Sequence, residues 1–298
     1  MKFTTGDTPQ HESYQYDGAA ELPKGWLLWH SYSSYKAQDS RLLLQMPDGT
    51  MEEIKGDFIN AMNGNFGKTP EQITFMAFDR IADEWNIFLY DKGNITNLTK
   101  YSGYHNEDPK WSPDGKQIVF KRTHRNRDGE ALFYSLALLD VKTKAVTILT
   151  NDDAEEAMPC FSSDGTKIYF AKYSGKIGSI FCLDLITKMT QTIFSEPDVN
   201  AYYPIVSDTF LYFTKWRNSK NTCDQIVCFD GNKFIELPFN SEKFDCSDVC
   251  PVNQDSIIYS CHKNGVYDLY FYNGTFSASI KKLNTDKNEL GADFYVLK

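Results

Sequence analysis

Two segments fifty residues apart carry the same phrase, and that repetition limits the fold more than any other feature of the chain. Asn106 to Phe120 reads NEDPKWSPDGKQIVF, and Glu156 to Phe170 reads EAMPCFSSDGTKIYF. Pro, an aromatic, Ser, Asp-Gly and a β-branched or aromatic run recur in one order. Pro109 bars a helix through the first half, Ser-Pro-Asp-Gly supplies turn chemistry, and Gln117 to Phe120 resumes an apolar strand. Each copy therefore reads as strand, tight turn, strand. A repeat of this length points to a propeller or a solenoid.

Aligning on the strand after the turn extends the series to six copies. They are Leu27 to Trp29, Ile73 to Phe75, Ile118 to Phe120, Ile168 to Phe170, Leu211 to Phe213 and Ile257 to Tyr259, with spacings of 46, 45, 50, 43 and 46. About 46 residues suits a four-stranded propeller blade better than a leucine-rich or helical repeat. A third strand follows in each copy (RLLLQM, NIFLYD, LFYSLALLD, SIFCLD, QIVCFD, DLYFY), and then a more polar fourth that suits an outer edge. Five copies also have a preceding first strand. The copy at Gly25 lacks one, and GADFYVLK (Gly291 to Lys298) is the segment left to supply it. The expectation is an all-β six-bladed propeller of four-stranded antiparallel blades, closed by the C-terminal strand joining the N-terminal blade. The blades fall at about 25–54 plus 291–298, 60–99, 106–150, 156–195, 201–238 and 247–284, as one domain over 25–298, with residues 1–24 an extension packing on it. The aromatic repeated at Phe75, Phe120, Phe170 and Phe213 should pack between blades.

Composition narrows the partners. A formal charge of −9 repels phosphate backbones, so nucleic acid is not expected. No apolar run reaches the ~20 residues that span a bilayer. Met1 to Tyr16 has no apolar core for a signal peptide, which reads as cytoplasmic, with a periplasmic placement requiring a leader removed beforehand. The seven cysteines mostly lie in apolar strand runs and read as buried thiols.

DPKWSPDGKQIVF and, less closely, AMPCFSSDGTKIYF resemble the repeat of TolB-like β-propellers. The resemblance implies a six-bladed, protein-binding propeller, often periplasmic. TolB itself carries an additional N-terminal α/β domain, for which the 24 residues before Gly25 are too short, so a Tol-system role is not implied. Similar propellers are also fused to prolyl oligopeptidase-type hydrolases, and occur in polysaccharide lyases. The sequence has no Gly-x-Ser-x-Gly elbow for the hydrolase.

In a propeller, the loops leading into each blade and those joining its second and third strands share one face. The leading loops bring Glu107, Asp108, Glu155, Glu156, Asp248, Glu289 and Asp293 toward a central channel, with His105 and Tyr202 beside them. Crowded carboxylates raise one another's pKa values or recruit a cation, so Ca²⁺ is the ion this mouth would take; no organic cofactor is expected. The second ring of loops carries Trp216 and Arg217, with Tyr32, Tyr35, Tyr173 and Tyr267, which suit sugar stacking or a protein hot spot. His30, His124 and His262, at corresponding blade positions, are the candidate set for a metal. The expected function is a non-enzymatic, monomeric propeller recognising a protein or glycan through this face. The alternative is a carbohydrate-active enzyme, a glycoside hydrolase or polysaccharide lyase, with its site at the channel mouth.

Overall fold

The computed structural model describes residues 20–125, 130–151, 154–220 and 222–297. Six four-stranded antiparallel sheets form a ring of blades. The first blade holds β1 (Gly25–Tyr32), β2 (Arg41–Gln45) and β3 (Met51–Ile54). The second holds β4 (Ile59–Phe66), β5 (Gln72–Asp79), β6 (Glu84–Asp91) and β7 (Asn94–Asn97). The third holds β8 (His105–Trp111), β9 (Gln117–Arg125), β10 (Ala131–Asp140) and β11 (Val146–Ile148). The fourth is β12 (Glu156–Phe161), β13 (Lys167–Ser174), β14 (Ile177–Asp184) and β15 (Thr190–Phe194). The fifth is β16 (Val199–Ser207), β17 (Phe210–Arg217), β18 (Gln225–Phe229) and β19 (Phe234–Glu236). The sixth is β20 (Cys246–Pro251), β21 (Ile257–Cys261), β22 (Asp268–Tyr272) and β23 (Ser277–Ser279), and β24 (Asn288–Val296) returns to the first blade.

That last strand pairs antiparallel with β1, giving the sheet order β24-β1-β2-β3 and closing the ring as the spacing predicted. A buried carboxylate fastens the closure. Glu289 accepts hydrogen bonds from Trp29 Nε1 at 2.8 Å and Ser31 Oγ at 3.0 Å, and from Thr285 Oγ1 at 2.6 Å. Most of residues 1–24 lie outside the described residues; of the rest, Ala20 and Leu22 pack against the Leu27 and Trp29 cluster.

The core is six clusters, each between neighbouring blades. The repeated aromatic supplies one ring to each. Phe75, Phe120, Phe170 and Phe213 are fully buried, joined at the corresponding positions by Trp29 and Tyr259. The Ser-Pro-Asp-Gly phrase is explained by its hydrogen bonds. Ser112 Oγ donates to Asp114 Oδ1 at 2.7 Å and accepts from Gln117 N at 2.9 Å, while Gly115 takes φ 68° and donates its N–H to the Ser112 carbonyl. Ser162, Asp164 and Gly165 repeat this arrangement, with Gly165 at φ 73°. The side-chain hydrogen bond from Ser162 and the Thr166 N–H pull the Asp164 carboxyl down to about 2. No helix among the described residues is long and apolar enough to cross a membrane.

Candidate functional site at the channel mouth

Every innermost strand is interrupted at the same level. Asn63, Asp108, Met158, Tyr203, Asp248 and Gly291, one from each blade, have φ between 51° and 59°. At or next to each, the strand loses register with its neighbour, as a β-bulge does. Five of the six are not glycine, and holding such residues in the left-handed region costs about 1–3 kcal/mol each, so the surrounding structure must enforce it. At the sixth position a side chain has no room: a Cβ on Gly291 would meet His30 at 2.5 Å. These six residues form the waist of the channel.

Hydrogen bonds link the waist from blade to blade. Asp108 Oδ1 accepts from Asn63 Nδ2 at 2.9 Å and its Oδ2 from Met158 N at 3.3 Å, while Asp248 Oδ2 accepts from Gly291 N at 3.1 Å. Tyr203 comes from the fifth blade, between those of Met158 and Asp248, and its charged neighbours are Asp248, Asp108 and Asp293. Burial pushes the Asp248 carboxyl up to about 6; the Gly291 N–H and Lys110 work against this, and Asp108 adds to it.

Above the waist, on the side of the leading loops, one arc is neutralised and another is not. Lys121 pairs with Glu107 at 3.7 Å and with Glu155. Its burial works against the ammonium, but Glu107, Asp108 and Glu155 outweigh that and hold it charged. Asp224, Asp245 and Asp248 have no lysine or arginine within ion-pair distance among the described residues. Tyr202 donates its hydroxyl to Asp224 Oδ2 at 2.8 Å, and Tyr267 donates to Asp245 Oδ2 at 3.4 Å. Burial lifts Asp224 to about 7, with Asp245 and Asp248 adding to the effect and the Tyr202 hydroxyl opposing it. Burial also raises the Tyr173, Tyr202 and Tyr267 phenols, so these hydroxyls remain donors. Tyr35, on the loop after β1, is largely exposed and packs at a tilt on the buried Tyr32, ring centroids 5.0 Å apart, with Asp248 among the charges both rings sense.

The residues singled out in the sequence separate into groups. Glu107, Asp108, Glu155, Tyr202 and Asp248 gather around the mouth. Glu156 is instead buried, bonded by Thr150 Oγ1 and paired with Lys172 at 3.4 Å. Asp293 lies beyond the bulge, in the lower half of the channel, where it accepts from Asn65 Nδ2 at 2.8 Å and Phe66 N at 2.6 Å. His105 Nδ1 accepts from the Trp85 backbone at 3.3 Å. Trp216 and Arg217 stand at the end of β17, where Arg217 meets Glu196 at 3.4 Å. His30 is buried and held neutral, its pKa pushed down to about 3 by that burial. His124 stacks on Phe133 and His262 packs on Tyr267. Among the described residues no group of three or more His, Cys, Asp or Glu could hold a metal ion.

Sequence reasoning passed over Lys121, Asp224 and Asp245. Lys121 did carry a signal, because it directly follows the repeated aromatic Phe120. The corresponding positions in the first two blades, His30 and Met76, also face the waist: His30 Nδ1 lies 3.5 Å from Asn63 N, and Met76 Sδ lies 3.4 Å from Asp108 N.

No family model matches the chain, and no curated protein matches it in sequence. Solved structures do resemble it. TolB from Acinetobacter baumannii superposes with a TM-score of 0.72 at 16% identity, over 92% of this chain and 67% of TolB. Hydrazine synthase from Kuenenia stuttgartiensis gives 0.75 at 10% identity, over 92% of this chain and 47% of that one. A chain of the nidogen/laminin complex gives 0.62 at 9% identity, over 91% and 99%. The chain thus spans about two thirds of that TolB and under half of the hydrazine synthase chain. In fold, this is a TolB-like six-bladed propeller.

Proposed function

We propose that the chain is a non-catalytic binding propeller that takes a partner protein at the channel mouth, seating a cationic side chain of that partner among tyrosines. The observation that carries this reading is the arc of Asp224, Asp245 and Asp248. Tyr202 and Tyr267 donate to Asp224 and Asp245, Asp248 acts on the Tyr35 ring, and the three carboxylates have no ion-pair partner among the described residues. An ammonium or guanidinium placed there supplies the missing charge and meets tyrosine faces suited to cations. The propellers of TolB and of the nidogen/laminin complex, similar in fold, are in keeping with a protein partner.

The test is fluorescence anisotropy with a labelled oligolysine peptide and an oligoglutamate control. Oligolysine is expected to bind at pH 8 and to weaken at pH 5, where Asp224 and Asp248 take up protons. Replacing both by Asn should weaken it about tenfold or more. Equal binding of the two peptides, or binding unchanged in the double variant, would overturn the reading.

A further inference from the structure

Below the waist lies a cavity of about 240 Å³ lined by residues from all six blades. It opens toward the Ser-Pro-Asp-Gly turns, and Trp111 and Pro113 belong to its wall, on the face opposite the leading loops. Two residues past each waist position stand Asn65, Lys110, Cys160, Ile205, Cys250 and Asp293, and they divide the ring in two. Asp293, Asn65 and Lys110 come from consecutive blades and form a polar arc. Cys160, Ile205 and Cys250 form an apolar arc, and Cys160 and Cys250 are kept as neutral thiols by burial.

The polar arc is rigid at one end and unfilled at the other. Asn65 is held from both sides, accepting from Trp111 N at 3.2 Å and donating to Asp293 at 2.8 Å. Lys110 makes no hydrogen bond or ion pair with any described residue; its charge reaches Asp248 and Asp293 only at longer range, and its Nζ lies 6.0 Å from the centroid of the Tyr203 ring. A lysine amine facing this space, with one fixed carboxylate on the same arc, favours a ligand that carries both an acceptor and a cation. The apolar arc opposite favours a hydrocarbon portion. At roughly 30 Å³ per water, the cavity holds about eight waters, or a molecule of similar size.

From this juxtaposition we propose that the lower channel binds a small apolar α-amino acid. Its carboxylate sits on Lys110, its ammonium on Asp293, and its side chain lies against Cys160, Ile205 and Cys250. This site is separate from the mouth above and does not depend on the protein-binding reading.

Isothermal titration calorimetry on the full chain tests it, with L-leucine against isovalerate, which lacks the ammonium, and isoamylamine, which lacks the carboxylate. Leucine should bind, with each partial analogue at least about tenfold weaker. Lys110→Met should weaken leucine by a similar factor. Ile205→Phe, which narrows the apolar arc and leaves the polar arc in place, should lower leucine to the level of glycine; this second variant serves if Lys110→Met fails to fold. Asp224→Asn, at the other mouth, should leave leucine binding within about twofold. The proposal fails if leucine gives no heat at about 10 mM. It also fails if isoamylamine or isovalerate binds as tightly as leucine, if both cavity variants bind like the parent, or if Asp224→Asn abolishes binding.

Discussion

Asp224 makes the stability of this protein depend on pH in a direction opposite to that of most aspartates. Its carboxyl is lifted from 3.8 to about 7, first by burial and then by Asp245 and Asp248. In the unfolded chain the group is already ionised at pH 5, whereas in the folded chain it still holds its proton there. The folded state therefore binds the extra proton between those values, and stability falls as pH rises toward 7. From pH 5 to pH 8 this covers about two pH units of unequal protonation, and at 1.36 kcal/mol per unit it amounts to about 2–3 kcal/mol. Asp224→Asn removes the titration yet keeps an oxygen that can accept the Tyr202 hydroxyl at its 2.8 Å position. Urea unfolding of both proteins at pH 5 and pH 8 measures the difference. The variant should be the more stable at pH 8, and its stability should change less between the two pH values. A variant as pH-dependent as the parent, or less stable at pH 8, would refute the burial argument.

Two further outcomes test the architecture. Phe120→Ala empties a fully buried ring position between the second and third blades and should cost about 3–5 kcal/mol in urea unfolding; a loss under about 1 kcal/mol would mean that the cluster repacks around the gap. Removing residues 292–298 takes away most of the strand that completes the first blade, so the product should aggregate, as seen by size-exclusion chromatography; a monomer melting like the parent would count against closure by β24.

The blades were legible because their construction is local. A turn closed by Ser112, Asp114 and Gly115, followed by an aromatic that must fit between sheets, repeats in residue type as well as in spacing. The waist was not legible, since what its six positions share is a backbone conformation. Asn, Asp and Gly enter the left-handed region readily, but Met158 and Tyr203 are held there by the sheet around them and announce nothing. The same bulge explains why Asp293 was grouped with the mouth. An extra residue in a strand breaks the in-out alternation, so counting from the loop assigns the wrong level beyond it. Glu156 was misplaced for another reason: Lys172 and Thr150, far from it or weakly marked in sequence, turn a loop-edge carboxylate into a buried structural one.

The bond from Trp29 to Glu289 spans 260 positions of the chain. A ribosome therefore makes most of the first blade before the other five and its inner strand after them. Until Asn288–Val296 has emerged, β1 offers an unpaired edge and Trp29 and Ser31 lack their buried acceptor. The intervening blades can each form as neighbours are made, but the ring becomes a closed unit only in a single late step of very long loop closure. During synthesis the edge of β1 is where a wrong strand, from this chain or another, would add.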